Sequence, residues 1–209
     1  KPLVAEEIKQ MIKPLRSALV LSLLLSLSIQ PSYANELLIW DKLNASSAKG
    51  YVLLLRHSLA PGVGDPENFK LGDCSTQRNL SQEGRNDASE IGAWIKRQKV
   101  EIYRVESSRW CRARQSAELL DIGKVKLNKN LNSLFRESNL ESHPKTLKTK
   151  QQIISHRNKS GLLVLVGHYV NIAALAGVGV DSGEGVIVKA NKNGVIKVLG
   201  ATPNLARQN

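Results

Sequence analysis

The hydrophobic positions of the chain form short uninterrupted runs that alternate with stretches in which apolar residues recur at helical spacing. Residues 51–55 and 162–166 are apolar throughout and have the length of a strand, which is typical of central strands buried on both faces of a sheet. Between them, Ala88, Ile91 and Ile95 follow the spacing of one helix face. The alternation predicts a three-layer α/β/α sandwich with a mostly parallel central sheet.

The first predicted helix has recognisable ends. Ser81 is a good N-cap, Glu83 lies in the first turn, and Lys96 and Arg97 form a basic last turn. We therefore expect this helix to cover the sheet. Further elements are predicted as a strand over 103–106, a helix over about 111–120 and a helix of small residues over 171–176.

The last part of the chain predicts a β-hairpin. Residues 186–189 and 195–199 have strand character, and Asn193-Gly194 between them is a strong type I′ turn signal. In contrast, residues 128–159 are polar and rich in Lys and Asn. We expect this polar stretch to form a lid or a wall over a site and to set its specificity.

The N-terminal segment, residues 1–34, predicts upstream residues followed by a secretory signal peptide. Its parts are, in order, Met11, the basic residues Lys13 and Arg16, an apolar run over 17–29 and a small-x-small cleavage site at 32–34. Cleavage before Asn35 would leave one mature domain over 35–209, in the periplasm or secreted. The apolar run is shorter than the roughly 20 residues of a membrane-spanning helix, so we expect no stable membrane anchor after cleavage.

Composition and charge limit the possible partners. A chain of 209 residues with 42% hydrophobic residues is long enough for one well-cored domain. The formal charge is +12, and it is +10 without residues 1–34, which hold four Lys/Arg and two Asp/Glu. Such a surface attracts anions. The basic residues are dispersed and no aromatic residues interleave with them, which argues against a nucleic-acid partner.

The two cysteines, Cys74 and Cys111, both lie in the predicted mature part. In an oxidising compartment they are able to form one disulfide, and two buried free thiols are the alternative. A metal site built from these cysteines with His57 and His168 is disfavoured, because the four residues lack the close spacing of zinc motifs and nearby arginines would repel a cation. We expect no metal and no other cofactor.

Three short motifs at the ends of predicted strands carry the candidate chemistry. They are Leu55-Arg56-His57, the segment Ser-Ser-Arg-Trp-Cys-Arg-Ala at 107–113, and Val166-Gly167-His168. Because the carboxyl ends of parallel strands lie side by side, we expect the motifs to converge at one edge of the sheet.

The residue types in these motifs suit phosphoryl transfer. Guanidinium groups of Arg56 and Arg112 would bind phosphoryl oxygens bidentately. A neutral His57 would attack phosphorus in line and form a covalent intermediate that water then hydrolyses. His168, if protonated, would donate to the same oxygens, and this chemistry requires no metal ion.

The motifs resemble those of the histidine phosphatase superfamily, whose members have the phosphoglycerate-mutase-like fold. Arg56-His57 is similar to the family's signature pair at the end of the first strand, although Ser58 stands where glycine is commonest. Residues 107–117 resemble the family's Ser-x-x-x-x-Arg-Ala-x-x-Thr-Ala segment, and Gly167-His168 resembles its second histidine motif. The resemblance, which runs from about residue 51 to residue 199, implies His57 as the nucleophile.

The resemblance also implies the remaining members of the site. The phosphate pocket would consist of Arg56, Arg112 and His168, with Tyr169 and Asn171 lining it. Apart from the resemblance, Arg78 and Ser108 are further substrate-binding candidates. A narrower, poorly characterised subgroup is similar in four further patterns, at 64–66, 73–81, 110–112 and 170–172. In that comparison a disulfide between Cys74 and Cys111 would brace the wall of the pocket.

The proton donor for the leaving group is the least defined part of the site. Glu137 lies near the position at which the family usually supplies an acid, but the usual flanking pattern is missing. Glu184 and Asp65 are alternatives. A histidine leaving group would need little help from an acid, so a site without a dedicated acid is also considered. Glu137 is the first candidate.

These features predict a metal-independent phosphatase that acts through phosphohistidine on a small phosphorylated substrate, exported or in the cell envelope, such as a phosphorylated surface sugar. A non-catalytic phosphate-binding protein and a protein phosphohistidine phosphatase are the alternatives. Trp40, Trp94 and Trp110 are expected to serve packing and not substrate binding, and Trp110 is the only one of the three close to the site. His143 and His156 are expected at the surface.

Overall fold

The structure is a computed structural model and describes residues 39–45 and 47–203. The predicted upstream and signal segment, residues 1–34, lies outside the described residues, and its interpretation stays a prediction. Within the described ranges, no helix is both long enough and apolar enough to cross a membrane.

A six-stranded sheet forms the centre of the fold. Its strands are β1 (Tyr51–Arg56), β2 (Ile102–Ser107), β3 (Val125–Leu127), β4 (Leu162–Gly167), β5 (Gly185–Ala190) and β6 (Ile196–Ala201). They lie in the order β3-β2-β4-β1-β5-β6, with β1 to β4 parallel and β5 antiparallel to both of its neighbours. The mostly parallel central sheet predicted from the sequence is confirmed.

Helices flank this sheet. They are α1 (Gln82–Arg97), α2 (Cys111–Leu119), α3 (Pro144–His156) and α4 (Tyr169–Ala176), with short 3₁₀ helices at Cys74–Thr76 and Lys129–Leu131. A helical segment also includes residues 39–43. The predicted helices over 81–97, 111–120 and 171–176 are confirmed, and the last begins two residues earlier than predicted.

The central strand β1 is buried on both faces, and this produces the three layers. Successive side chains of a strand point to opposite faces, so Leu53 packs in one cluster with Ile91 of α1 and Ala117 of α2. Its neighbour Leu54 packs in a second cluster, on the other face, with Ile153 of α3 and other residues. The uninterrupted apolar run therefore serves two hydrophobic cores at once.

Helix α1 lies closely against the segment that follows His57. Ser81 caps the helix, as predicted, by accepting the Gly84 N–H at 3.0 Å, and its own N–H donates to the Leu59 carbonyl at 3.0 Å. A Cβ at Gly84 would lie 2.1 Å from the Leu59 carbonyl oxygen, and one at Gly92 would lie 2.0 Å from that of Leu120. Glycine at these positions allows the helix to approach both backbones.

The C-terminal hairpin is present, but its turn is not type I′. That turn needs positive φ at both central residues, whereas positive φ occurs at Gly194 (75°) and not at Asn193. The Gly194 N–H donates to the Asn191 carbonyl at 3.1 Å, and the Asn191 side chain accepts the N–H groups of Asn193 and Val195. The Asn191 side chain thus organises a longer loop than the two-residue turn expected.

The predictions for residues outside the site had mixed outcomes. Trp40 is buried and meets Trp94 edge-on at 4.6 Å between ring centroids, so packing in the core is confirmed. The surface position predicted for His156 is wrong, because it lies on the inward face of α3, where its Nε2 bonds the Gly161 carbonyl at 3.0 Å. His143 is half-buried and caps α3 by accepting the Lys145 N–H.

Candidate active site

The three sequence motifs meet at the carboxyl ends of adjacent strands. In the register of the sheet, Arg56 of β1 pairs with Gly167 of β4, and Ser107 of β2 pairs with Val166. The ladder continues one residue further, because the His57 N–H donates to the Gly167 carbonyl at 3.0 Å. The convergence predicted from strand order is confirmed, and it brings the rings of His57 and His168 to 5.4 Å between centroids.

The hydrogen bonds of His57 define its tautomer. Its Nδ1 lies 2.8 Å from the Ser58 carbonyl oxygen, which only accepts, so Nδ1 carries the proton. Its Nε2 lies 3.2 Å from Nε of Arg112, which only donates, so Nε2 presents a lone pair. The imidazole is thus neutral, fixed in orientation, and has its basic nitrogen directed at the arginine.

The surroundings of His57 keep it neutral. Burial lowers the pKa of His57 to about 3, against an opposing hydrogen bond to the Ser58 carbonyl, and the charges of Arg112, Arg56 and Arg78 lower it further. An imidazole with such a pKa is unprotonated throughout the neutral range. It is therefore available as a nucleophile without a separate base to deprotonate it.

Arg112 is buried and uses both edges of its guanidinium. Its Nη1 donates to Asp65 Oδ1 at 2.6 Å and its Nη2 donates to Asp65 Oδ2 at 3.2 Å, which is an end-on bidentate pair. Nη1 also donates to the Arg78 carbonyl at 3.3 Å, and Nε donates to His57 Nε2. Asp65 thus occupies the end-on edge of the guanidinium, and the Nε/Nη2 edge faces His57.

Two further arginines line the same cavity and are held by backbone carbonyls. Arg56 donates through Nη1 to the Val180 carbonyl at 3.0 Å, and its guanidinium lies 5.4 Å from the ring centroid of Tyr169. Arg78 donates to the Gly64 carbonyl at 2.7 Å and to the Ala60 carbonyl. The structure therefore brings Arg78 to the cavity with Arg56 and Arg112, and the three cations attract an anion there.

His168 lies beside His57, with 5.4 Å between the ring centroids, and is neutral in the free protein. Complete burial lowers its pKa well below the usual value, and the proximity of His57 and the arginines lowers it further. The protonated imidazole considered from the sequence is therefore not the state of the free site. Its Nε2 shares a hydrogen bond with Ser108 Oγ at 2.9 Å, so Nδ1 is the nitrogen left for a ligand. A neutral ring still donates one N–H.

Asp65, one of the alternative acids, is held by hydrogen bonds from several neighbouring residues. It accepts hydrogen bonds from Arg112, from Trp110 Nε1 at 3.0 Å and from the Arg78 N–H at 3.2 Å. Burial alone would raise the pKa of Asp65, but the hydrogen bonds and charge of Arg112 outweigh burial and hold it below its usual range. The carboxylate is ionised and is a poor proton donor.

The implied disulfide joins Cys74 to Cys111, with 5.7 Å between the Cα atoms. The Cys111 N–H donates to Gln77 Oε1 at 2.9 Å, and Gln77 lies in the segment that follows Cys74. Cys111 directly precedes Arg112, so the crosslink ties the loop after β1 to the start of α2. Since both cysteines are oxidised, neither provides the thiolate that the alternative metal site required.

A cavity of about 470 Å³ opens around these groups, which is larger than a phosphoryl group needs and lies in the range of small-molecule sites. The polar stretch predicted to cover the site contributes one wall through Ser133, Phe135, Arg136 and Glu137. Trp110 belongs to another wall, with Phe69 stacked on it at 5.1 Å between ring centroids. Phe69, Trp110 and Phe135 thus give the cavity aromatic surface beside its charged groups.

Two of the four substrate-binding candidates do not line the cavity. Ser108 is fully buried and contacts His168 instead. Asn171 uses its side chain to accept the Leu134 N–H at 3.2 Å and to donate to the Asn132 carbonyl at 3.0 Å, so it supports the wall from below. Both are committed to neighbouring protein groups. Arg78 and Tyr169 do line the cavity.

The acid candidates are separated by position. Glu137 lines the cavity, and its carboxylate lies 3.7 Å from Lys145 Nζ and 3.8 Å from His143 Nε2. Glu184 is not among the lining residues, and one of its carboxylate oxygens accepts the Asp181 N–H. The sequence did not predict the network of Asp65 with Arg112 and Trp110. Its only signal was the pattern at residues 64–66, which reads Gly-Asp-Pro.

Comparison with solved structures finds phosphatases with the same fold. The protein histidine phosphatase SixA complexed with tungstate superposes with a TM-score of 0.54 at 17% identity, covering 73% of this chain and 96% of that chain. The phosphoserine phosphatase of Entamoeba histolytica in complex with 3-phosphoglyceric acid gives 0.52 at 13% identity, with 74% and 98% covered. Mycobacterial glucosyl-3-phosphoglycerate phosphatase with inorganic phosphate gives 0.52 at 13% identity, with 72% and 94% covered.

Neither a family model nor a curated protein sequence matches the chain. At the low identities of the solved structures, the likeness is one of fold.

Proposed function

We propose that this chain, which has the fold of the histidine phosphatase superfamily, hydrolyses phosphomonoesters without a metal ion through a phosphohistidine on His57. The observation that carries the proposal is the state of His57: its Nε2 holds a lone pair and lies 3.2 Å from Arg112 Nε, at a cavity lined by Arg56 and Arg78. A neutral nucleophile beside fixed cations is the combination that phosphoryl transfer requires.

The first step forms the phosphohistidine. A phosphoryl oxygen takes over the Nε–H of Arg112, which frees His57 Nε2 to attack phosphorus. The N–P bond forms as the P–O bond to the leaving group breaks, and the electron pair of that bond stays on the leaving oxygen. Charge on the equatorial oxygens is stabilised by the fixed donors of Arg56 and Arg112 and by an N–H of His168.

The leaving oxygen needs a proton unless it is already a weak base, and Glu137 is the proposed donor. Glu137 lines the cavity, whereas Asp65 is held by Arg112 and Glu184 is not a lining residue. In the second step the same carboxylate accepts a proton from water, whose oxygen attacks phosphorus. The N–P bond breaks, inorganic phosphate leaves, and His57 regains its lone pair.

The natural substrate is proposed to be an exported or cell-envelope phosphomonoester, such as a phosphorylated surface sugar. This part rests on the signal-like segment at 11–34 and on the disulfide, which suits an oxidising compartment. Detection of the mature protein, beginning near Asn35, in a periplasmic fraction or in the medium would support export. A full-length cytoplasmic protein would contradict it.

The decisive experiment is hydrolysis of p-nitrophenyl phosphate by purified protein in EDTA, with His57→Asn as the variant that lacks the Nε2 nitrogen. We expect wild-type turnover to survive chelation and the variant to lose it. A rapid quench should trap a phosphoryl group on wild-type His57, which ³¹P NMR or mass spectrometry would locate. Phosphate binding without turnover and without a trapped phosphohistidine would favour a non-catalytic binder instead.

The role of Glu137 is tested by changing the leaving group. Glu137→Gln should slow hydrolysis of an alkyl phosphate by about 10²-fold or more, because acid catalysis typically contributes 10²–10⁴-fold. It should slow hydrolysis of p-nitrophenyl phosphate much less, since p-nitrophenolate leaves without a proton. Glu141→Gln, an exposed carboxylate in the same loop, is the matched control. Equal losses with both substrates would exclude Glu137 as the acid.

A further inference from the structure

We propose that Asp65 is a positioning residue of this site: its carboxylate fixes the guanidinium of Arg112 so that the Nε/Nη2 edge faces His57 Nε2 and an incoming phosphoryl group. The inference rests on the proposed function. It assigns Asp65 a part in that function which is neither acid nor ligand, and which acts through Arg112.

The donor count on Arg112 leads to this assignment. A guanidinium has five N–H donors in one plane. Nη1 uses its two on Asp65 Oδ1 and the Arg78 carbonyl, and Nη2 uses one on Asp65 Oδ2. The remaining two are Nε–H, on His57 Nε2 at 3.2 Å, and the second Nη2–H. These two N–H groups point in the same direction along one edge of the planar guanidinium, so a phosphoryl group can bind them as a side-on bidentate pair.

The acceptor count on Asp65 agrees. A carboxylate has about four lone-pair sites. Oδ1 accepts from Arg112 Nη1 and from the Arg78 N–H, while Oδ2 accepts from Arg112 Nη2 and from Trp110 Nε1. All four sites are therefore filled by protein donors. No site is left for a proton of the substrate, which separates Asp65 from an acid or base.

Burial makes the arrangement rigid. The exposed fraction is 4% for the Arg112 side chain and 15% for that of Asp65, so few water molecules compete for these hydrogen bonds. The donors to Asp65 come from two segments, the loop that contains Arg78 and the start of α2 with Trp110. Cys74–Cys111 links the same two segments covalently. Asp65 thus connects the loop after β1 to Arg112. The position of Arg112 in turn determines how a phosphoryl group is held next to His57.

A direct observation on the wild-type protein tests the geometry. A guanidinium held at both edges should rotate slowly about its Cζ–Nε bond, so ¹⁵N NMR should resolve separate Nη1 and Nη2 signals for Arg112. The Nε–H of Arg112 should show a hydrogen bond to His57 Nε2. The exposed Arg97 should give averaged Nη signals in the same sample. Averaged Nη signals for Arg112 would overturn the proposal.

Binding of inorganic phosphate tests the consequence without needing turnover. Asp65→Asn should weaken phosphate binding, measured by calorimetry, by about 10- to 100-fold, which is the order of loss caused by misplacing one oxyanion donor. Asp121→Asn, which removes an exposed carboxylate paired with Lys96, should leave binding unchanged. Tighter phosphate binding in Asp65→Asn would overturn the proposal, because Asp65 would then be a competitor for Arg112.

A double-mutant cycle separates positioning from general support of the fold. If Asp65 acts through Arg112, then Asp65→Asn should cost less than about 2-fold in phosphate affinity once Arg112→Ala is present. Equal costs in both backgrounds would overturn the proposal. If wild type binds phosphate and shows this coupling but never forms phosphohistidine, the proposed function fails while the positioning role stands.

Discussion

Lowering the pH from 7 to 5 should destabilise the folded protein through His57. Burial lowers the pKa of His57 to about 3 in the folded state from 6.5 in the unfolded chain. Between these two values the unfolded chain binds a proton that the folded protein does not, so stability falls as the pH falls. A pH of 5 lies about 1.5 units below the pKa of the unfolded chain. At 1.36 kcal/mol per unit, the free energy of unfolding therefore falls by about 2 kcal/mol.

Urea unfolding of wild type and His57→Asn at both pH values measures this contribution, in buffers that contain no phosphate or other oxyanion. The variant removes one titrating group and keeps the others, including His168, whose lowered pKa acts in the same direction. We expect wild type to lose about 2 kcal/mol more than the variant between pH 7 and 5. Equal losses in the two proteins would refute the argument. An inflection near pH 6.5 in the pH profile of kcat/KM that reports protonation of His57 would also refute it.

Two further predictions concern stability. Replacing both cysteines by serine should cost about 4 kcal/mol in the free energy of unfolding, because the loop-closure entropy is regained over a sequence separation of 37 residues. Urea unfolding measures this cost. A loss under about 1 kcal/mol would show that the loop is constrained without the crosslink. Gly92→Ala should destabilise by about 1–3 kcal/mol, although alanine is the better helix former, because its Cβ would lie 2.0 Å from the Leu120 carbonyl oxygen. Ser89→Ala on the exposed face of the same helix is the control in thermal unfolding, and a Gly92→Ala protein as stable as wild type would contradict the close approach.

Local sequence patterns predicted most of the strands and helices. The apolar runs at 51–55 and 162–166 predicted buried central strands, and β1 and β4 are paired at the middle of the sheet. Ser81 predicted a helix start because a cap acts within three residues of itself. The hairpin was predicted while its turn was not, since the Asn191 side chain takes hydrogen bonds that the Asn-Gly signal does not encode.

The site was predictable as far as strand order reaches. Positions at the carboxyl ends of parallel strands meet whatever the details of packing, and this brought together His57 and His168. It gave no information on which polar groups bond each other. Ser108 and Asn171 were therefore expected to contact substrate, but they support His168 and the cavity wall.

The sequence by itself determined most of the strands and helices, the Ser81 cap and the chemistry available at the strand ends, because these depend on periodicity and on contacts within a few residues. It did not predict β3 or α3, and α3 lies in the polar stretch that was expected to be a lid or a wall. Only the tertiary structure decided the tautomer of His57, the edge of Arg112 that faces it and the role open to Asp65. Those depend on burial and on the direction of hydrogen bonds between segments such as residues 65 and 112, which are far apart along the chain and meet only when the sheet and its loops are in place.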